Sequence, residues 1–336
     1  MMSEIFLFNP SIKCANPVKE TVYSRSRYEV KGMKTVTDIL QSEFGTLHAK
    51  FRTVSIIYLK DLQTEITEWK RNGLITEKFY KQNYGQFSFK PPTTLPNARS
   101  IIVIGIPQKI TPLEFFYKGK KHQTILPPTY VYSKVRTTCK EILSRILGNK
   151  GYFVDHAILP LKLLAVKSGL AKYGKNNICY IDEMGSFTRL QAFFTDYEFL
   201  TDDWHEKQIM KSCTTCSLCR HACPTSCIPK KRFLIHADRC LTYLNEYKGD
   251  FPSWVSKQSH NALVGCMRCQ IVCPQNKKFL QYDKQTVDFT EEETSIILQK
   301  TPRELIPKAL AKKLIRFDID EYYTELGRNL SVLLNK

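Results

Sequence analysis

No hydrophobic run in this chain approaches the roughly 20 residues that a helix needs to cross a bilayer, which excludes helical membrane spans. The start, Met1 to Pro10, contains Ile5, Phe6, Leu7 and Phe8 but neither a charged leader nor paired arginines. No export signal is therefore expected, and the chain reads as cytoplasmic. Low-complexity segments are lacking, and so are internal repeats beyond a halved cysteine pattern. Acidic residues are the scarcer charge: 32 Asp and Glu stand against 50 Lys and Arg, a net charge of +18 over 336 residues. Such an excess suits a polyanion such as RNA, because phosphate contacts release counterions. A lysine-rich surface explains it equally well, so charge alone names no partner. The 12 cysteines of a leaderless chain fit a reducing compartment, where thiols stay available for metal. They do not suit the disulfide framework of a short secreted domain.

Those cysteines are concentrated. Cys213, Cys216, Cys219 and Cys223 follow a C-x2-C-x2-C-x3-C spacing closed by Pro224, then comes Cys240, then Cys266, Cys269 and Cys273 closed by Pro274. The first run is the bacterial ferredoxin pattern, in which three close cysteines hold one 4Fe–4S cube and the fourth crosses to another. A second full run would place a cysteine at position 263, where the residue is Leu263. Cys240 is the natural replacement. The expected ligand sets are Cys213, Cys216, Cys219 and Cys273 for one cluster, and Cys223, Cys240, Cys266 and Cys269 for the other. Zinc is a poor alternative, because its sites take four ligands as two separated pairs, often with histidine. Cys227 has no place in this count and reads as packing, as do Cys14, Cys139 and Cys179.

The rest of the chain predicts an α+β protein. Residues 1–34 show no sustained period and read as an irregular arm. A short helix is expected over Thr35–Glu43, a strand over Phe51–Tyr58, and an amphipathic helix over Leu59–Asn72 stopped by Gly73. The strongest strand is Ser100–Ile106 (SIIVIGI), preceded and followed by proline-bearing loops. Helices over Tyr130–Leu147 and Leu159–Ser168, a strand over Asn177–Ile181 and a strand or short helix over Leu190–Thr195 complete an α/β domain spanning 35–205. A ferredoxin-like two-cluster domain over 206–282 and a short helical tail over 283–336 follow, with Thr290 capping the first tail helix. Asp155–Asn176 (DHAILPLKLLAVKSGLAKYGKN) ends a helix at Gly169 and continues into a Gly/Lys/Asn turn. Turns of that kind expose backbone N–H groups to anions or cofactor edges.

With the cysteines beside it, this segment resembles the epoxyqueuosine reductases, a cobalamin-dependent family of queuosine tRNA modification within a superfamily shared with reductive dehalogenases. Asp155, Ala165, Gly169, Leu170, Gly174, Lys175, Asn176, Gly185 and Ser186 stand in the family's order, and LPNARS at 95–100 and Asp238–Tyr243 continue the likeness over residues 50–280. The resemblance implies a nitroreductase-like α/β domain binding base-off cobalamin, with Gly169, Gly174, Lys175, Asn176 and Ser186 as cofactor contacts. It further implies electrons passing from a donor such as ferredoxin or flavodoxin through two clusters to cobalt. Asp155 aligns with the family's proton donor, and a carboxyl beside an apolar cofactor can keep a raised pKa. Read from the residues alone, Asp155 could equally cap the helix beginning near Leu159. The family's Gly-Pro after the Asp is replaced by Ala157 and Ile158, its acidic residue by Leu161 and its third glycine by Ala171. These departures bear on the substrate. The leading expectation is a monomeric reductase acting on epoxyqueuosine in tRNA. A cytosolic reductase or dehalogenase-like enzyme with a small-molecule substrate, and a ferredoxin-type electron carrier, are the alternatives.

Overall fold

A computed structural model describes residues 34–130, 133–200 and 202–335. The irregular arm expected over residues 1–34 lies almost wholly outside that range. From Val36 onward the chain forms one compact unit.

Helix α1 (Val36–Thr46) buries Val36, Leu40 and Phe44, spaced four apart on one side. Strand β1 (Lys50–Ser55) is shorter than its apolar sequence suggests, because Ile56–Tyr58 turns as a single helical turn capped by the Ser55 hydroxyl. Helix α2 (Leu59–Arg71) buries Leu59, Leu62, Ile66 and Trp69, the stripe read from its period, and Gly73 leaves it at φ +63°. Thr76 caps the short helix α3 (Glu77–Asn83). Strand β2 (Ser100–Pro107) is buried at all but its last residue, as a strand covered on both faces must be.

The segment after β2 departs from expectation. Strands β3 (Thr111–Tyr117) and β4 (Lys120–Leu126) form an antiparallel hairpin where a loop was expected. Lys118 and Gly119 both take positive φ, the two-residue turn whose twist suits a hairpin. Helix α4 (Ser133–Gly148) follows, then β5 (Val154–His156), α5 (Leu161–Lys167), the two-residue strands β6 (Lys172–Tyr173) and β7 (Cys179–Tyr180), and β8 (Thr188–Thr195). The central sheet has the order β1-β2-β8-β5, antiparallel throughout.

Pleating divides the sheet's side chains between two cores. Ile101, Val103, Ala192 and Phe194 face α2 and α5, whereas Ile102, Ile104, Ile106 and Phe193 face α1 and α4. The result is a helix–sheet–helix sandwich, with β5 as an edge strand carrying Asp155.

The cysteine segment contributes three short helices: α6 (Leu218–His221), α7 (Leu241–Glu246) and α8 (Arg268–Ile271). Strand β9 (Val287–Phe289) then adds parallel to β3. Helix α9 (Glu291–Leu298) begins with a capping box of Thr290 and Glu293, and α10 (Lys308–Arg316) and α11 (Tyr323–Leu334) complete the tail. The tail helices share a core with the hairpin and with Leu263 and Val264 of the cysteine segment. Arg328 donates to the carbonyls of Leu244, Asn245 and Tyr247, so the tail braces the cysteine segment directly.

Candidate iron–sulfur centre

Local backbone geometry repeats between the two halves of the cysteine segment. Cys219 lies in α6 and Cys269 in α8, and these helices pack against each other. The Cys223 N–H bonds the Arg220 carbonyl and the Cys273 N–H the Gln270 carbonyl, each at 3.3 Å. Each Cys-x3-Cys unit is thus one helical turn that closes on its last cysteine.

The thiols gather in two groups. Cys219 feels the charges of Cys213, Cys216 and Cys273, and Cys213 those of Cys273 and Cys216. Cys266 feels Cys240 and Cys223, while Cys269 feels Cys266 and Cys240. Cys219 and Cys269 also sense one another, so the groups adjoin. Burial pushes the thiols of Cys213, Cys219, Cys266 and Cys269 upward, the usual cost of charging a thiol away from water. Cys223, Cys240, Cys266 and Cys269 line a cavity of about 140 Å³. Among the described residues, no three His, Cys, Asp or Glu side chains converge on a single-ion site.

Cys227 is a fifth thiol at the second group. Its sulfur lies 3.4 Å from that of Cys223, and it lines the same cavity as Cys240. The bond from Cys227 holds the Cys223 thiol down to about 5, and the same bond pushes Cys227 up.

The residues that the family resemblance assigns to a cofactor form a joint between the sandwich and the cysteine segment. Lys175 Nζ donates to the carbonyls of Thr214 and Cys216, each at 3.0 Å. Asn176 is buried, donates to the Tyr180 hydroxyl at 3.1 Å, accepts from the Ile178 N–H and lines the thiol cavity. A Cβ on Gly174 would stand 2.5 Å from Asn176 Oδ1 and 2.6 Å from the Tyr180 ring, so only glycine fits there. The Ser186 hydroxyl donates to Gln270 Oε1 and accepts from Asn276 Nδ2, both at 2.8 Å. Gly169 turns out of α5 at φ +72° against the His205 ring.

Asp155 is placed apart from these thiols. It does not cap α5, whose first turn follows Pro160 without a side-chain cap. Its carboxylate accepts from the Thr94 hydroxyl and from the His156 N–H at 2.8 Å, with Lys140 Nζ 3.7 Å away. The Thr94 bond first, then the His156 N–H and Lys140, hold this carboxyl below the usual range despite partial burial. That is the reverse of the raised value expected for an acid beside an apolar cofactor. Neither Thr94 nor Lys140 was visible as a partner in the sequence, since they lie 61 and 15 residues away in other elements.

A second cavity, of about 280 Å³, adjoins the thiol cavity and shares Lys162 and Ile235 with it. Trp69, Tyr84, Tyr173, Arg232 and His236 line it. Arg232 donates to the Leu74 carbonyl at 2.6 Å. The five assigned contact residues are engaged within the protein. As folded here, these residues do not fit cobalamin.

Residues 212–276 match the family model described as a 4Fe-4S double cluster binding domain. Epoxyqueuosine reductase of Staphylococcus aureus is 27% identical over 198 residues, covering 56% of this chain and 51% of that protein. The chain therefore matches about half the length of that relative. The solved structure of epoxyqueuosine reductase from Streptococcus thermophilus superposes with a TM-score of 0.60 at 18% identity, covering 90% of this chain and 81% of the other. An epoxyqueuosine reductase solved with an epoxyqueuosine-modified tRNA stem loop superposes at 0.58 and 19% identity, over 89% and 82% of the two chains. The likeness in fold extends well beyond the cysteine segment.

Proposed function

We propose that this chain is an iron–sulfur oxidoreductase similar in activity to epoxyqueuosine reductase, acting on a modified nucleoside of tRNA. The observation that carries the reading is the gathering of eight thiols in two adjoining foursomes on a buried joint with the α/β sandwich. Cys213, Cys216, Cys219 and Cys273 would hold one 4Fe–4S cluster, and Cys223, Cys240, Cys266 and Cys269 the other. When bound, such clusters supply one-electron transfers at potentials set by their surroundings.

The chain's own residues do the positioning. Lys175 fixes the loop of Cys213 and Cys216 through its two carbonyl bonds. The Ser186–Gln270–Asn276 group fixes the turn of Cys269 and Cys273. Lys162 stands between the thiol cavity and its neighbour, where it offers a positive charge to an electron-rich substrate. Asp155 is the proton donor in this reading. It must first take up a proton, and the Thr94 and His156 bonds favour the charged form, so its donor state requires release from Thr94. Support for tRNA comes from the net charge of +18 and from the relative solved with a tRNA stem loop. Cobalamin belongs to the family resemblance, and because the residues present do not fit it, no step is routed through it.

The engagement of the five assigned contact residues within the protein favours one further reading, an electron carrier without its own substrate. Two measurements separate them. Loss of the gene should leave epoxyqueuosine in tRNA where queuosine is otherwise found, and an unchanged nucleoside profile would remove the tRNA assignment. Cobalamin added to the anaerobic protein should leave the corrinoid spectrum unchanged if the cavities stay as described; a base-off spectrum would restore the cofactor to the reading.

A further inference from the structure

We infer that Cys227 is a positioning residue of the second cluster: it bonds the ligand sulfur of Cys223 as a thiol donor and raises that cluster's reduction potential. The inference rests on the two-cluster reading above.

The sequence Cys223-Pro-Thr-Ser-Cys227 makes a tight turn. The Ser226 N–H bonds the Cys223 carbonyl at 3.2 Å, and Ser226 takes φ +51°, a left-handed conformation that sends the chain back on itself. The Cys227 carbonyl then accepts from the His236 N–H at 2.8 Å. These bonds fix the Cys227 backbone from both sides and aim its sulfur at Cys223, 3.4 Å away. The side chain is 2% exposed, so it competes with no water.

Three roles are open to a fifth thiol there. As a ligand it would make the second group a set of five for four irons. As packing it would need no partner, yet its sulfur lies within bonding distance of that of Cys223. As a donor it fits, because ligand sulfurs carry negative charge and charging a third buried sulfur beside them is costly. A hydrogen bond to a ligand sulfur stabilises the cluster more when it has gained an electron. It therefore shifts the potential upward.

The test is an EPR-monitored redox titration of the anaerobic, cluster-loaded full chain, with iron content measured on the same samples. Cys227→Ala should keep about eight irons and lower one of two midpoints, leaving the other in place. The reduced-to-oxidised ratio at fixed potential should fall by up to about tenfold, which for one electron is about 59 mV. Cys227→Ser, which keeps a donor, should give a midpoint between wild type and Ala. Unchanged midpoints in Cys227→Ala would overturn the donor role. Loss of about four irons would overturn it too, by making Cys227 a ligand. If the wild-type chain holds no clusters, the two-cluster reading itself fails, a result distinct from either.

Discussion

The two sulfur groups are built to the same turn geometry but sit in different surroundings. In the second group side-chain donors meet two of the sulfurs: Thr225 and Cys227 reach Cys223, and Asn261 reaches Cys266 at 3.2 Å. Beside the first group, Lys175 Nζ bonds the carbonyls of Thr214 and Cys216 instead. Donors to sulfur favour the reduced state. On the two-cluster proposal, such neighbours alone would set similar ligand sets at different potentials, with the second cluster the better electron acceptor. The second group is also the one whose cavity adjoins Lys162.

Removing a ligand breaks the comparison most severely. Cys240→Ala should lower iron from about eight to about four and leave the first cluster's signal intact, read by iron analysis and EPR. Loss of both signals would mean that the groups fold as one. Perturbing the joint acts on both groups together. Gly174→Ala forces a Cβ against Asn176 and Tyr180 and should destabilise the chain by about 1–3 kcal/mol. Asn276→Ala leaves the Ser186 N–H and Gln270 carbonyl without their partner at a similar cost of about 1–3 kcal/mol. Denaturant melts check both.

Two pH effects sharpen the contrast. Burial pushes the Glu246 carboxyl, bonded by the Tyr130 hydroxyl, up from 4.5 to about 7. A buried acid with a raised value binds its proton more tightly folded than unfolded, so stability falls as pH rises from about 4.5 through 7. Glu246→Gln should flatten that decline in melting temperature. Asp155 has the opposite sign. Its lowered value contributes stability above pH 3.8 that is lost as pH falls through the folded value. Thr94→Val should return the carboxyl toward its ordinary range, a small upward move visible by NMR titration, with little change in iron content.

Legibility in the sequence followed the range of the interactions. The two thiol foursomes are readings from spacing, because ligand spacing within a turn is local. Position 263 lacks a cysteine for a structural reason: Leu263 is fully buried in the core shared by the hairpin and the tail, and its N–H bonds the Ile125 carbonyl. The stripe of α2, the strand at Ser100 and the cap at Thr290 were equally legible, each being a pattern within about a dozen residues. The hairpin over Thr111–Leu126 was missed although Lys118 and Gly119 lie between two strand-forming runs. Its turn lacks the Asn-Gly or Asp-Gly pair that most strongly marks such hairpins. β5 is three residues long, too short for any period to show. The surroundings of Asp155 are assembled from β5, α4 and the loop of Thr94, so its lowered carboxyl could not be read from neighbours in sequence. The Gly174–Lys175–Asn176 turn was visible as special, but its part in holding the cysteine segment emerges only when distant carbonyls meet Lys175.

The most direct test of the account is Mössbauer spectroscopy with iron and sulfide analysis on the anaerobically prepared full chain, alongside a redox titration. The expected result is about eight irons in two 4Fe–4S cubes with separate midpoints, the higher one moved by changes at Cys227. About four irons in a single cube, or zinc in place of iron, would contradict it.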